Sequence, residues 1–144
     1  MPSYRHESVL PFPPAEVFAW HARPGAFERL APPWAAVSVR ERRGTVRDGD
    51  EVVMEVEKGP LRFTWHLRHR DFAEGSRFTD EQVRGPFQRW VHVHRFEPDG
   101  ADGTRLVDEI EWEPPAAGAV EGLAAPVVER EMSRLFGFRA RRLE

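Results

Sequence analysis

FTDEQVRGPFQRWVHVHRFEPDGADGTRLVDEIEWEPP, residues 78–115, is the stretch whose reading decides the fold. Three segments of period-2 alternation lie between two turn signals, Arg84-Gly85-Pro86-Phe87 and the run Pro98 to Gly103. Successive side chains of a strand point to opposite faces, so the even-numbered residues share one face. That face carries Phe78, Asp80 and Gln82, then Trp90, His92, His94 and Phe96, then Leu106, Asp108, Ile110 and Trp112. It is an apolar wall with two carboxylates, an amide and two imidazoles set into it. A core face needs no such groups, whereas a lined pocket does.

Working outward, residues 4–10 alternate and predict a first strand, with Tyr4, His6, Ser8 and Leu10 on one face. Pro14 opens a short helix to His21, and residues 26–30 predict a second one. Strands follow over 37–46, 51–57 and 61–72; the last has Phe63, Trp65, Leu67 and His69 inward. From Pro126 to about Leu143 the period changes to that of a helix, with Glu129 and Glu131 near its positive end and Arg139, Arg141 and Arg142 near its negative end. Its apolar face is led by Val127, Val128, Leu135 and Phe138, with Met132 at the margin and Glu131 in the middle; the arginines read as a solvated helix end. Hairpin-length connections make an antiparallel sheet, and the last helix is the large element left to cover its apolar side.

The 144 residues have room for one domain, expected to span 1–144. A net charge of −3 offers no basic footprint for nucleic acid. The absence of cysteine excludes disulfides, thiolate metal sites and cysteine nucleophiles. No run approaches the roughly 20 apolar residues of a membrane span. A cytoplasmic protein without integral membrane association is expected; oligomeric state is not legible.

With this order of elements in place, the chain resembles the SRPBCC superfamily, also called START-like or polyketide cyclase/dehydrase-like. The residues that carry the resemblance are Leu10 to Phe18, Leu30 to Trp34, Arg84 to Phe87 followed by Trp90, His92, His94 and Phe96, then Gly103 to Glu109 and Leu135 to Arg139. The ending and the segment from Gly85 to His94 are similar to a bacterial ligand-binding subgroup, sometimes joined to an epimerase-like reductase domain. The resemblance implies an α+β, helix-grip fold: a seven-stranded antiparallel sheet wrapped around a long C-terminal helix, two short helices after the first strand, and a cavity between sheet and helix. An epimerase- or reductase-like protein partner is implied on the same ground. Fold alone does not fix chemistry.

Symmetric pairing about the two turns sets Asp108 opposite His94 and Asp80 opposite His92; a slip of two residues would exchange partners but keep all four on one face. Three readings follow. The pairs satisfy one another in a filled interior, or they fix the polar end of an apolar ligand, or His94 and Asp108 form an acid–base pair of a cyclase or dehydratase. The expected binding set is Phe63, Trp65, His69, Phe78, Asp80, Gln82, Trp90, His92, His94, Asp108, Ile110, Glu131 and Leu135. The expected ligand is a hydrophobic or amphipathic small molecule resembling a lipid, quinone or polyketide. No metal spacing and no phosphate loop is recognisable, so no metal or cofactor is expected.

Overall fold

A computed structural model describes residues 3–22, 36–58, 61–113, 130 and 132–139. Seven strands make one sheet: β1 (Ser3–Leu10), β2 (Ala36–Arg43), β3 (Glu51–Lys58), β4 (Leu61–Ala73), β5 (Arg77–Arg84), β6 (Arg89–Asp99) and β7 (Gly103–Glu113). Their order is β1-β7-β6-β5-β4-β3-β2 and every ladder is antiparallel. From β2 to β7 each strand pairs with its neighbour in sequence, and the β1–β7 ladder alone joins distant parts of the chain. Among the described residues no helix is long and apolar enough to cross a membrane.

Helix α1 (Pro14–His21) begins at a proline whose missing N–H would have no partner there, and it buries Val17 and Phe18. The expected second helix at 26–30 lies outside the described residues. So does most of the long C-terminal helix: Arg130 and residues 132–139 (α2) are helical. The described part of α2 turns a different face inward from the expected one. Met132 and Phe136, one turn apart, are buried, while Leu135 and Phe138 are only partly covered. The Phe136 ring sets this phase, stacking on Tyr4 at 5.6 Å and on His6 at 5.5 Å, both from β1.

The sheet's outer face holds the charged half of the alternation. Glu55 meets Arg40 and Arg62, and Glu51 meets His66 at 2.7 Å. Such exposed pairs contribute little individually, but they keep the other face turned inward. Strand β2 is shorter than expected, ending at Arg43, because Gly44 takes φ +69° and Asp50 closes the turn by accepting from the amides of Thr45 (2.8 Å) and Arg47 (3.1 Å).

Two apolar clusters fill the inner side. One joins Val52, Met54, Leu67, Phe87, Trp90, Ile110 and Trp112 to Met132 and Phe136 of α2. The other joins Leu10, Val46, Phe78, Phe96 and Leu106 to Val17 and Phe18 of α1. Phe18 stands edge-on to Phe72, Phe78 and Phe96, with centroids 5.7, 6.0 and 5.2 Å away.

Candidate functional site

Between the two clusters a polar belt crosses the sheet at right angles to the strands. On β6 the sequence Trp90, His92, His94, Phe96 runs from the first cluster, through two buried imidazoles, into the second. On β7 Asp108 falls between Ile110 and Leu106, and on β4 His69 falls between Leu67 and Phe72. Asp80 occupies the same level on β5.

The register is the symmetric one, with Asp80 opposite His92 and His94 opposite Asp108. The side chains bond along the diagonals instead. His92 Nε2 donates to Asp108 Oδ1 at 2.8 Å, and His94 Nε2 donates to Asp80 Oδ2 at 2.8 Å. His94 Nδ1 also lies 3.3 Å from Asp108 Oδ1. His69 Nδ1 donates to the Asp50 carbonyl at 3.0 Å, and its Nε2 makes a close ionic contact, 2.7 Å, with Asp80 Oδ1. The chain of contacts is thus His69–Asp80–His94–Asp108–His92, drawn from four adjacent strands.

Protonation follows from the partners. Both nitrogens of His94 face carboxylates, which can only accept, and both nitrogens of His69 face acceptors as well. Each ring is therefore an imidazolium. Burial alone would lower the His94 pKa, but the charge of Asp80 and the bonds to Asp108 and Asp80 raise it to about 9. At His69 burial is likewise outweighed, first by the charge of Asp80 and then by its contact, and the pKa is raised. Asp108 and Asp80 stay ionised: burial works against them, yet the bonds from His92 and His94 at Asp108, and the charges of His94 and His69 at Asp80, hold both below the usual carboxylate range. His92 is neutral, its pKa lowered to about 4 by burial and by the charge of His94, whose ring stacks on it at 3.7 Å. Two imidazoliums thus balance two carboxylates, and a neutral imidazole hydrogen-bonded to Asp108 is left over.

The structure brings other expected residues around this belt. Trp65 meets Trp90 at 4.8 Å and Phe63 at 6.0 Å, and Phe78 stacks on His94 at 4.3 Å. Ile110 is fully buried beside Trp112. Gln82 serves the turn: it accepts from Trp65 Nε1 at 3.0 Å and donates to the Phe87 carbonyl at 2.6 Å, so its amide is occupied within the chain. Leu135 is half-buried on α2, and Glu131 lies outside the described residues.

Two residues join the site that the expected binding set did not contain. His21, at the end of α1, donates through Nδ1 to the Val17 carbonyl at 2.8 Å and meets Phe96 at 5.1 Å. Burial lowers its pKa to about 4, and the charge of His94 acts in the same direction. Arg139 is no solvated helix end: its guanidinium carbon lies 5.5 Å from the Phe136 ring, and its Nε is sequestered without a hydrogen-bond partner among the described residues. It shares the inward side of α2 with Met132 and Phe136 because 132, 136 and 139 follow helical spacing. For a metal, Asp80, His92 and His94 each offer a ligand atom, all within 4.8 Å of one another. Asp80 and His94 already use theirs on each other.

The family model described as polyketide cyclase / dehydrase and lipid transport matches residues 10–137. No curated protein is similar enough to count as a match. Among solved structures, the Zhui aromatase/cyclase from Streptomyces sp. R1128 is similar at a TM-score of 0.74 and 20% identity, over 99% of this chain and 90% of that one. A START superfamily protein from Mycobacterium smegmatis is similar at a TM-score of 0.72 and 14% identity, over 99% and 94%. A nucleoside-diphosphate sugar epimerase from Corynebacterium glutamicum is similar at a TM-score of 0.72 and 26% identity, over 97% of this chain but 28% of that one.

Proposed function

Since the chain belongs to the polyketide cyclase/dehydrase and lipid transport family, within the START-like (SRPBCC) superfamily, we propose that it binds a hydrophobic or amphipathic small molecule between sheet and C-terminal helix. The observation that carries the reading is the polar belt set between two aromatic clusters. A site that is mostly apolar, with a few polar groups converging on one place, is the usual form of a small-molecule site. The ligand's polar end would meet the belt at His92, and its apolar body would lie along Trp65, Trp90 and the inward side of α2. A lipid-, quinone- or polyketide-like molecule has this division. Native mass spectrometry of the protein recovered from a lipid-rich extract tests it. An adduct that organic extraction removes is the expected result; a bare mass, with no uptake of added apolar probes, sinks the reading.

A second reading has its own observation. His94, expected as the base paired with Asp108, holds its proton between two carboxylates. Neutral His92 instead donates to ionised Asp108 and keeps a lone pair on its other ring nitrogen, the arrangement of a general base. In a cyclase or dehydratase the pair would take a proton from carbon next to a carbonyl. Loss of turnover with retained binding in His92→Ala and His94→Ala separates this from binding alone.

The match to about a quarter of a sugar epimerase supports a third reading, a domain that works beside an epimerase- or reductase-like partner. Co-purification with such a partner, unaffected by substitutions in the belt, is its mark.

A further inference from the structure

We propose that the molecule taken up beside the belt carries an anionic oxygen head, a carboxylate or an ionised enol or phenol, that Arg139 anchors. This rests on the binding reading above and adds the chemical class of the ligand to it.

The charges of the belt close on themselves. His69 and His94 are each held between acceptors, Asp80 and Asp108 are the matching anions, and His92 is neutral. Among the described residues of the belt, no negative charge is left over for Arg139. Its side chain nevertheless turns toward the sheet: the half-buried guanidinium lies over Phe136, and the Phe136 ring stands edge-on to His92 at 5.6 Å. A guanidinium has five N–H donors and no acceptor, and it does not give up its charge inside a protein. Burial lowers its pKa, and the fields of Asp108 and Asp80 only partly oppose that.

The polarity of the head group is argued by the side-chain atoms that lack a hydrogen-bond partner. Three sequestered side-chain atoms have no aligned partner among the described residues: Asp80 Oδ1, Trp112 Nε1 and Arg139 Nε. Asp80 Oδ1 has His69 Nε2 2.7 Å away. The other two are donors, so both call for an acceptor. At Arg139 a negative acceptor fits best, because the half-buried guanidinium keeps its charge while its Nε is shut off from solvent. An alcohol or ester head would satisfy the N–H and leave the charge. An anionic oxygen supplies both needs, and a planar carboxylate matches the fork of the guanidinium.

Isothermal titration of the full chain with dodecanoate and with methyl dodecanoate, which share a chain and differ in head charge, tests the proposal. The wild type is expected to bind dodecanoate at least about tenfold more tightly, a difference of about 1.4 kcal/mol. Arg139→Met, which keeps the apolar stem, should erase that preference and leave ester binding unchanged; Arg139→Lys should retain it in part. Circular dichroism confirms that each variant is folded, and should the Met variant not fold, the Lys variant decides by whether its preference falls below the wild type's. Equal binding of the two probes by the wild type, or an intact preference in the variants, overturns the head-group assignment and leaves the binding reading standing. Binding of neither probe overturns both.

Discussion

Asp108 faces His94 across the β6–β7 ladder, yet its shortest bond, 2.8 Å, runs to His92, one step further along β6. The carboxylate thus serves two stacked rings at once, holding one as an imidazolium and the other as a neutral donor. Asp108→Asn keeps the shape but removes the charge. The imidazolium of His94 then loses half of its compensation in the interior, and breaking a buried pair costs about 3–5 kcal/mol. Urea unfolding should show a loss of that size; a change below about 1 kcal/mol would mean that the belt is wet rather than buried.

The belt gives stability an optimum in pH. Folded His94 keeps its proton up to about 9, whereas an unfolded histidine loses it near ~6.5, so stability falls as pH rises between those values and then levels. Folded His92 and His21 refuse a proton down to about 4, whereas unfolded histidines accept one below ~6.5, so stability also falls as pH drops across that window. Each group contributes at most about 1.4 kcal/mol per pH unit. Denaturation midpoints should therefore peak at about pH 6.5 and decline on both sides, with His94 and His69 acting on the alkaline side and His92 and His21 on the acid side. A midpoint that is flat from about pH 5 to pH 9 would contradict the assigned protonation states. NMR of the ring nitrogens checks the same point, with His94 still protonated when His92 is not.

The turn from β5 into β6 is closed by Gln82, and Gly85 is small because of it. A Cβ at Gly85 would stand 2.5 Å from both Gln82 Oε1 and Trp65 Cδ1. Gly85→Ala should destabilise by about 1–3 kcal/mol through overpacking. Gln82→Ala should cost a similar amount, about 1–3 kcal/mol, by leaving Trp65 Nε1 without an acceptor. Equilibrium unfolding, followed by tryptophan fluorescence, measures both. Additive losses in the double variant would show that the two act independently, contrary to their shared contact.

Phe18 fixes α1 to the sheet through three other phenylalanines, so Phe18→Ala should cost about 3–5 kcal/mol. Because the belt lies between the clusters, the effect should reach His21 but leave the Trp65–Trp90 pair in place. Near-ultraviolet circular dichroism should retain the tryptophan signal. Its loss would mean that the two clusters form one cooperative unit.

The pairing of the strands was legible because two short turns fix the register of β5, β6 and β7, and period-2 alternation then assigns every inner residue. The diagonal bonds were not legible, since they depend on sheet twist and on where each imidazole swings. Gln82 was misplaced for a related reason: alternation puts it inward but does not tell a lining amide from one bent back over its own turn. The helix went wrong in phase. Leu135 and Phe138 are apolar, but Met132 and Phe136 are the residues that meet β1 and the first cluster. Arg139 was assigned to solvent by the rule that basic residues favour helix C-termini, which fixes an end and not a side. His21 enters the site from α1, a placement that only tertiary packing reveals.

The order of the strands also sets how the chain can fold. Each ladder from β2 to β7 joins neighbours and needs only a short loop to close. The β1–β7 ladder, whose register runs from Ser3 with Glu111 to Leu10 with Thr104, must close nearly the whole chain, and Thr104 Oγ1 secures it by donating to the Phe12 carbonyl at 2.6 Å. Closure entropy rises slowly with loop length, but non-local pairing is slow to be found. The meander can thus assemble first, with the free edge of β7 waiting for β1. The belt's charges, all carried by β4 to β7, can balance within the meander, but Asp108 gains its cover from His6 on the far side only when β1 docks.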